Sequence, residues 1–370
     1  MLQNPLSQDM PSQFLHDCTL DQLVAWVQGL GEKPFRARQI HEWVWKKRAQ
    51  TVEEMTNLSH KIRESIQRSF RVFPLLRVRV EESDDKETTK FLWKLYDGAY
   101  VESVLIRAPG RYTVCVSSQV GCPARCGFCA SGRKGLIRNL ATAEIVAQVL
   151  AIETYLEREE SAHVTNIVYM GMGEPMKNYQ NVVSSIRLLT DPAFFGISQR
   201  RITVSTVGVV EGIIDFAKED LKVNLVLSLH APNQKIRQKI IPYARQYDLQ
   251  DVMNAMEYYH THVGRDITYE YTLISGINDQ IEHAKELVKL LKGRQCTVNL
   301  IPYNPVPGLR LKRPEREDIE AFRSVLDANG IIHTCRYTKG VDIAAACGQL
   351  ALKEDDVAES SSSSSLRVIM

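Results

Sequence analysis

From Arg111 onward the sequence repeats one theme, an apolar β-branched run, then a loop, then a stretch whose apolar residues recur at helical spacing. Residues 112–116, 164–170, 202–205, 223–229, 267–273 and 297–301 read as strands, with an edge strand near 331–337. The intervening segments are long enough for crossover helices. Six such units in series require parallel strands and right-handed connections, which predicts a complete or partial β/α barrel. No solenoid-type repeat is present.

The unusual residues fall where these runs end. A cysteine-rich loop follows the first strand, and Gly171-Met172-Gly173-Glu174-Pro175 follows the second. Ser205-Thr206-Val207-Gly208 ends the third, Ser228-Leu229-His230-Ala231 the fourth, and Ile301-Pro302-Tyr303-Asn304-Pro305 the sixth. Any one of them is readable as a turn. Five at the carboxyl ends of parallel strands predict a site, because loops from different strands converge on that face of a β/α barrel.

The cysteine loop runs from Val120 to Gly132 and sets Cys122, Cys126 and Cys129 in a C-x3-C-x2-C array. Three thiolates are one too few for a closed zinc tetrahedron, whereas a [4Fe–4S] cluster held by three leaves one iron open for a substrate or cofactor. A structural zinc site with Cys115 as fourth ligand is the alternative. A disulfide framework is disfavoured, since only eight of 370 residues are cysteine and the N-terminus carries no basic, apolar, small-residue leader; the expectation is a reducing cytoplasm. No apolar run reaches the roughly 18 residues that cross a bilayer, so no membrane segment is expected.

Ahead of the barrel lie other patterns. Residues 1–16 are polar and unpatterned, which predicts disorder. Leu20, Leu23, Val24 and Val27 then recur at helical spacing before Gly29 and Gly31; a second helix follows Pro34, with Ile40, Trp43 and Val44, and a third is expected from Ser59 to Phe70. This defines a basic helical domain over 17–75. Between Lys33 and Arg79 stand twelve lysines and arginines against four glutamates, an excess that suits phosphate backbones, or else a solvated helical face. Trp43 and Trp45 read either as core or as platforms for unpaired bases. Residues 76–110 alternate like strands, with a turn at Asp97-Gly98, and read as a β extension bridging into a catalytic domain over 111–350. The last stretch, 351–370, turns acidic at Glu354-Asp355-Asp356 and holds serines from Ser360 to Ser365, composition that predicts a disordered tail.

The run Cys115-Val116-Ser117-Ser118-Gln119-Val120-Gly121-Cys122, the cysteine loop, GMGEP, SLHA, IPYNP and the closing Asp342-Ile343-Ala344-Ala345-Ala346-Cys347-Gly348-Gln349-Leu350 together resemble the RlmN/Cfr family of radical S-adenosylmethionine (SAM) RNA methyltransferases. The likeness covers about 20–350 and includes Gly31-Glu32-Lys33-Pro34-Phe35-Arg36-Ala37, similar to the start of that family's accessory RNA-binding domain. It implies a partial (β/α)6 radical SAM barrel with a small N-terminal helical accessory domain. It also implies a [4Fe–4S] cluster and S-adenosyl-L-methionine as cofactors. The implied partners are 23S rRNA and tRNA as substrates and an external electron donor such as flavodoxin or ferredoxin, for a monomer without a membrane.

What the resemblance implies for the chemistry follows from the substrate. Carbon 2 of adenine is electron-poor and has no nucleophilic lone pair, so direct methyl transfer is blocked and a radical route is needed. By the resemblance, Cys347 takes a methyl group from one SAM, and a second SAM on the open iron yields a radical that removes hydrogen from that methyl. The carbon then joins the adenine ring. Cys115 releases the product by attacking the Cys347 sulfur, leaving a transient disulfide, so both thiols are expected to face the cavity. Read alone, Cys347 beside Ala344-Ala345-Ala346 is a small core thiol. Glu102, in the apolar run 101–106, matches the family's proposed general base or else is a solvent-facing strand residue. The same matching assigns SAM to Gly173, Glu174, Ser205, Ser228, Leu229, His230 and Asn304, with the Glu174 carboxylate suited to the methionyl ammonium and His230 alternatively structural. Cys18, Cys296 and Cys335 match no motif. Methylation of adenosine carbon 8, as in the antibiotic-resistance branch, and a zinc-stabilised non-catalytic RNA-binding protein are the alternatives.

Overall fold

The computed structural model of the chain describes residues 13–335 and 339–350. It opens with the helical module. Thr19 and Gln22 cap α1 (Leu20–Gly29) reciprocally: the Thr19 hydroxyl accepts from the Gln22 amide at 3.2 Å, and the Gln22 side chain accepts from the Thr19 amide at 2.8 Å. Next come α2 (Phe35–Trp45) after Pro34 and α3 (His60–Ser69), capped by Ser59. Leu23, Val27, Ile40, Val44, Ile62 and Ile66 are the buried stripes of these helices, and Trp45 joins them as core. Trp43 stays half exposed, with the Lys47 ammonium 4.0 Å from its ring centre.

The expected disorder of 1–16 fails from residue 13. Phe14 bridges Arg71, and Phe14, Leu15 and His16 are buried. The Phe14 ring meets Tyr96 at 5.6 Å, and the His16 ring meets Trp45 and Phe73 at 5.5 Å each, so aromatic burial outweighs the entropy of ordering this short run. The polar stretch before it and the serine-rich tail lie outside the described residues.

β1 (Leu75–Glu82), β2 (Thr88–Leu95), β3 (Tyr100–Ala108) and β4 (Arg111–Cys115) form an antiparallel meander. The expected β extension at 76–110 is joined to the barrel edge to edge: β3 pairs along β4, the first barrel strand, so extension and barrel share one sheet. Alternation gave the strands but carried no information about their partner.

After β4 the chain makes a small separate hairpin, β5 (Gln119–Gly121) with β6 (Leu136–Asn139), which closes the ends of the cysteine loop. Then α4 (Thr142–Glu160) leads to β7 (Asn166–Tyr169), α5 (Tyr179–Thr190) to β8 (Ile202–Thr206), and α6 (Val210–Ala217) to β9 (Asn224–Ser228). Helices α7 (Gln234–Ile240) and α8 (Leu249–Val263) precede β10 (Ile267–Leu273), α9 (Ile281–Leu291) precedes β11 (Cys296–Pro302), and α10 (Arg316–Ala328) precedes β12 (His333–Cys335). β4 and β7 to β12 pair in parallel in chain order, giving with the meander one ten-stranded sheet ordered β1-β2-β3-β4-β7-β8-β9-β10-β11-β12, and parallel neighbours of this kind are joined by crossover helices, as in a partial barrel. The expected edge strand is shorter than 331–337, and residues 336–337 lie outside the described ones. No helix among the described residues is long and apolar enough to cross a membrane.

Candidate active site

The carboxyl ends of the parallel strands border one open cavity. Cys122, Cys126, Cys129, Gly173, Glu174, Ser205, Ser228, His230, Asn304 and Cys347 all line it. Sequence positions spread over more than two hundred residues therefore meet.

The cysteine loop is held by its main chain. Cys122 donates its amide to the Gly135 carbonyl at 3.0 Å, Gly127 to Ile240 at 2.8 Å, and Cys129 to Cys126 at 3.1 Å. Gly121 has φ +75°, and a Cβ there would lie 2.0 Å from the Gly135 carbonyl oxygen, so only glycine lets the two hairpin strands approach at this point. Burial raises the pKa of all three thiols, and Cys129 and Cys122 raise that of Cys126 further. Three thiols brought to one cavity wall by a single short loop are the donor set of a cluster that leaves one iron open.

Beside this loop, Glu174 is buried and accepts three hydrogen bonds, from the Val207 amide at 2.7 Å, the Thr206 hydroxyl at 2.8 Å and the Met176 amide at 3.0 Å. Burial raises its pKa and these donors counter the rise. A carboxylate has about four acceptor sites, so one stays available on the cavity side. Gly173, at φ +114°, brings the backbone against β5: a Cβ there would sit 2.7 Å from Ser118 Oγ and 2.8 Å from the Gln119 amide nitrogen. The hydroxyls of Ser205 and Ser228, on adjacent strands, lie 3.1 Å apart.

His230 combines both of its readings. Its Nδ1 accepts the Thr272 amide at 3.0 Å, a structural bond, yet the ring lines the cavity 5.0 Å from Phe128. Burial, then the Arg237 charge, pulls its pKa down to about 3, so the ring is neutral and its Nε2 carries the proton. Asn304 donates from Nδ2 to the Cys347 carbonyl at 3.2 Å.

Three expected residues stand outside the lining. Leu229 is fully buried, its amide donating to the Glu270 carbonyl at 3.0 Å. Cys115, expected to face the cavity, is buried at the end of β4, a strand enclosed between β3 and β7 within the sheet. Burial and then the neighbouring Cys347 thiol raise its pKa. Cys347 itself is exposed, which removes its reading as a core thiol. Glu102 is buried on β3, with Lys90 Nζ 3.4 Å from its carboxylate, so it is not a solvent-facing strand residue.

Sequence reasoning missed two charged groups. Glu270 lines the cavity from β10, hidden inside an otherwise apolar strand. Arg237 is buried behind it, donating to the carbonyls of Leu229 at 3.3 Å and Ser228 at 3.4 Å; burial lowers its pKa to about 10 despite Cys126 and Glu174 nearby. In the sequence Arg237 looks like one more charge of a basic helix, Lys235 to Lys239.

Residues 116–291 match the model of the Radical SAM superfamily. A solved radical SAM methyltransferase from Sphaerobacter thermophilus has a TM-score of 0.88 and 44% identity to this chain, covering 91% of it and 99% of that protein. The barrel and its three-cysteine loop thus define a radical SAM enzyme. Residues 14–72 match the ribosomal RNA large subunit methyltransferase N-terminal domain. A probable dual-specificity RNA methyltransferase RlmN 2 from Protochlamydia amoebophila (strain UWE25) is 60% identical over 332 residues, 90% of this chain and 92% of its own length. A probable RlmN from Thermotoga neapolitana is 48% identical over 342 residues, 92% of this chain and 97% of its own. The chain belongs to the RlmN family of radical SAM RNA methyltransferases, and its cofactors are a [4Fe–4S] cluster and S-adenosylmethionine.

Proposed function

We propose that the protein methylates carbon 2 of adenosine in 23S rRNA and in tRNA beside the anticodon, through a methylated Cys347. The observation that carries this reading is the meeting of the three-thiol loop with the exposed Cys347 in one cavity, and the buried Cys115 thiol beside Cys347. The words "dual-specificity" in the relatives' names support two RNA substrates.

Cys122, Cys126 and Cys129 would hold the cluster. Glu174, Gly173, Ser205, Ser228, the Leu229 main chain, His230 and Asn304 would hold S-adenosylmethionine, with the open acceptor of Glu174 taking its ammonium. Bound there, the two cofactors supply a carbon-centred radical able to take hydrogen from a methyl group.

The remaining steps belong to the chain. Cys347 accepts a methyl group on sulfur and, after one hydrogen atom leaves, its methylene bonds to the adenine carbon. The ring regains aromaticity by losing a proton, which Glu102 is proposed to move, and an electron, which the oxidised cluster held by Cys122, Cys126 and Cys129 would take up. The Cys115 thiolate then attacks the Cys347 sulfur. The sulfur–carbon bond breaks toward carbon, which takes up a proton to become the methyl group, and a Cys115–Cys347 disulfide forms for later reduction. An external donor such as flavodoxin or ferredoxin is proposed to supply electrons. The target base must leave its stack to enter.

Nucleoside mass spectrometry of rRNA and tRNA from cells with and without the protein tests this. Loss of 2-methyladenosine from both pools supports it. Loss of 8-methyladenosine instead, or no change in either pool, overturns it.

A further inference from the structure

The segment that carries Cys347 is gripped from two sides. On the cavity side the Ala130 amide donates to the Gly348 carbonyl at 2.7 Å, and the Gln349 side chain donates to the Pro305 carbonyl at 2.9 Å. On the other side the contacts come from the β1–β2 hairpin with its strands and from β3, where the Arg107 carbonyl accepts from Lys339 Nζ at 2.9 Å. The Asp84 amide donates to the Asp342 carboxylate at 2.9 Å, Lys339 pairs with Glu87 at 2.9 Å, and Lys90 Nζ donates to the Ile343 carbonyl at 2.7 Å.

Lys90 is the unusual member of this set. It lies in the middle of β2 and is only 7% exposed, a burial that lysine tolerates only when paired. Its ammonium has three protons, and three acceptors surround it: Glu81 at 2.9 Å, Glu102 at 3.4 Å and the Ile343 carbonyl at 2.7 Å. Two carboxylates keep the cation in the sheet. The third proton reaches the main chain of a distant segment, at Ile343, four residues before the Cys347 thiol.

We infer that Lys90 is a positioning residue: anchored by Glu81 and Glu102, it latches the Cys347 segment at Ile343 to the antiparallel extension and so sets where the methyl-carrying sulfur stands. The functional consequence rests on the role proposed for Cys347, whereas the latch is a matter of main-chain geometry alone. Cys347 has to meet a methyl donor, an adenine and Cys115 in turn. One charged hydrogen bond to a carbonyl holds such a segment firmly and can be remade after each excursion, without using any side chain of the segment. Glu102 thereby acquires a second task, since it ties the β3 strand to the Cys347 main chain through Lys90.

The test uses full-length, anaerobically reconstituted protein carrying Lys90→Met. Amide hydrogen exchange over residues 340–350 is expected to quicken by at least about tenfold, the worth of one hydrogen bond to a charged group. Exchange in the barrel strands and the iron content stay as in the parent, and kcat for RNA methylation falls while KM for RNA and for S-adenosylmethionine holds. Lys90→Arg, which keeps the cation, restores part of both. If Lys90→Met does not fold, Glu81→Gln removes one anchor and is expected to give the same local change at several-fold. Unchanged exchange over 340–350 in the folded variant overturns the inference, and so does faster exchange with unaltered kcat. Cys347→Ala that still methylates RNA would instead overturn the role proposed for Cys347, leaving the exchange result to stand by itself.

Discussion

The thiol of Cys115, at the end of the first barrel strand, has its pKa raised by burial and then by the neighbouring thiol of Cys347, which arrives from the far end of the chain. The two sulfurs are thus neighbours in a fold where one is buried and the other exposed. That asymmetry suits an order of events in which the exposed thiol works on the substrate first and the buried one closes the cycle.

Cys115→Ala is therefore expected to stall after the carbon–carbon bond forms. A covalent protein–RNA species should accumulate and be visible on denaturing gels and by mass spectrometry, whereas Cys347→Ala should give neither adduct nor methylated RNA. Absence of the adduct in Cys115→Ala under turnover would exclude the two-thiol route.

The raised Cys115 pKa sets a pH dependence for release. Only the thiolate attacks, so below the thiol's pKa adduct decay in the parent protein should quicken by about tenfold per pH unit as pH rises from about 7 to about 9. Rapid-quench measurement of adduct lifetime against pH reads this directly, and a flat profile would contradict it.

His16 supplies a stability prediction of opposite direction. Burial lowers its pKa to about 4 from an ordinary value of 6.5, and neither ring nitrogen has a hydrogen-bond partner among the described residues. The unfolded chain binds the proton more readily, so this contribution is intact above about pH 6.5 and shrinks as pH falls toward 4, by about 3 kcal/mol in all. Urea unfolding of His16→Phe should show a correspondingly flatter acid limb, with Trp45 and Phe73 still packed on the ring.

Gly173→Ala should injure the cavity and the fold together. The new methyl group would press on the Ser118 hydroxyl and the Gln119 amide at a positive φ, at a cost of about 1–3 kcal/mol. A lowered melting temperature with weakened S-adenosylmethionine binding by calorimetry is the expected result.

For the basic module, Lys61 and Arg68 are exposed on α3. If they meet phosphates, Lys61→Ala with Arg68→Ala should weaken RNA binding and reduce the slope of log affinity against log salt by about one to two. Methyl transfer to Cys347 as proposed above involves no RNA and should be unchanged in the same variant.

The sequence by itself determined a great deal here. Apolar β-branched runs set between stretches of helical spacing located the six barrel strands to within a few residues, since strands buried on both faces carry apolar residues throughout while the covering helices keep their own period. Close spacing likewise made the three ligand cysteines legible, because a short loop can deliver them without help from elsewhere. Only the tertiary structure decided what lies between distant segments: that 76–110 joins the barrel sheet through β3 and β4, that Phe14 to His16 fill the module's core, that Cys115 is covered while Cys347 is not. Lys90, Arg237 and Glu270 belong to the same group. A charge in a strand or helix is unremarkable in a linear sequence, and its meaning appears only when folding strips its water and leaves the carbonyls and carboxylates of remote strands as its partners.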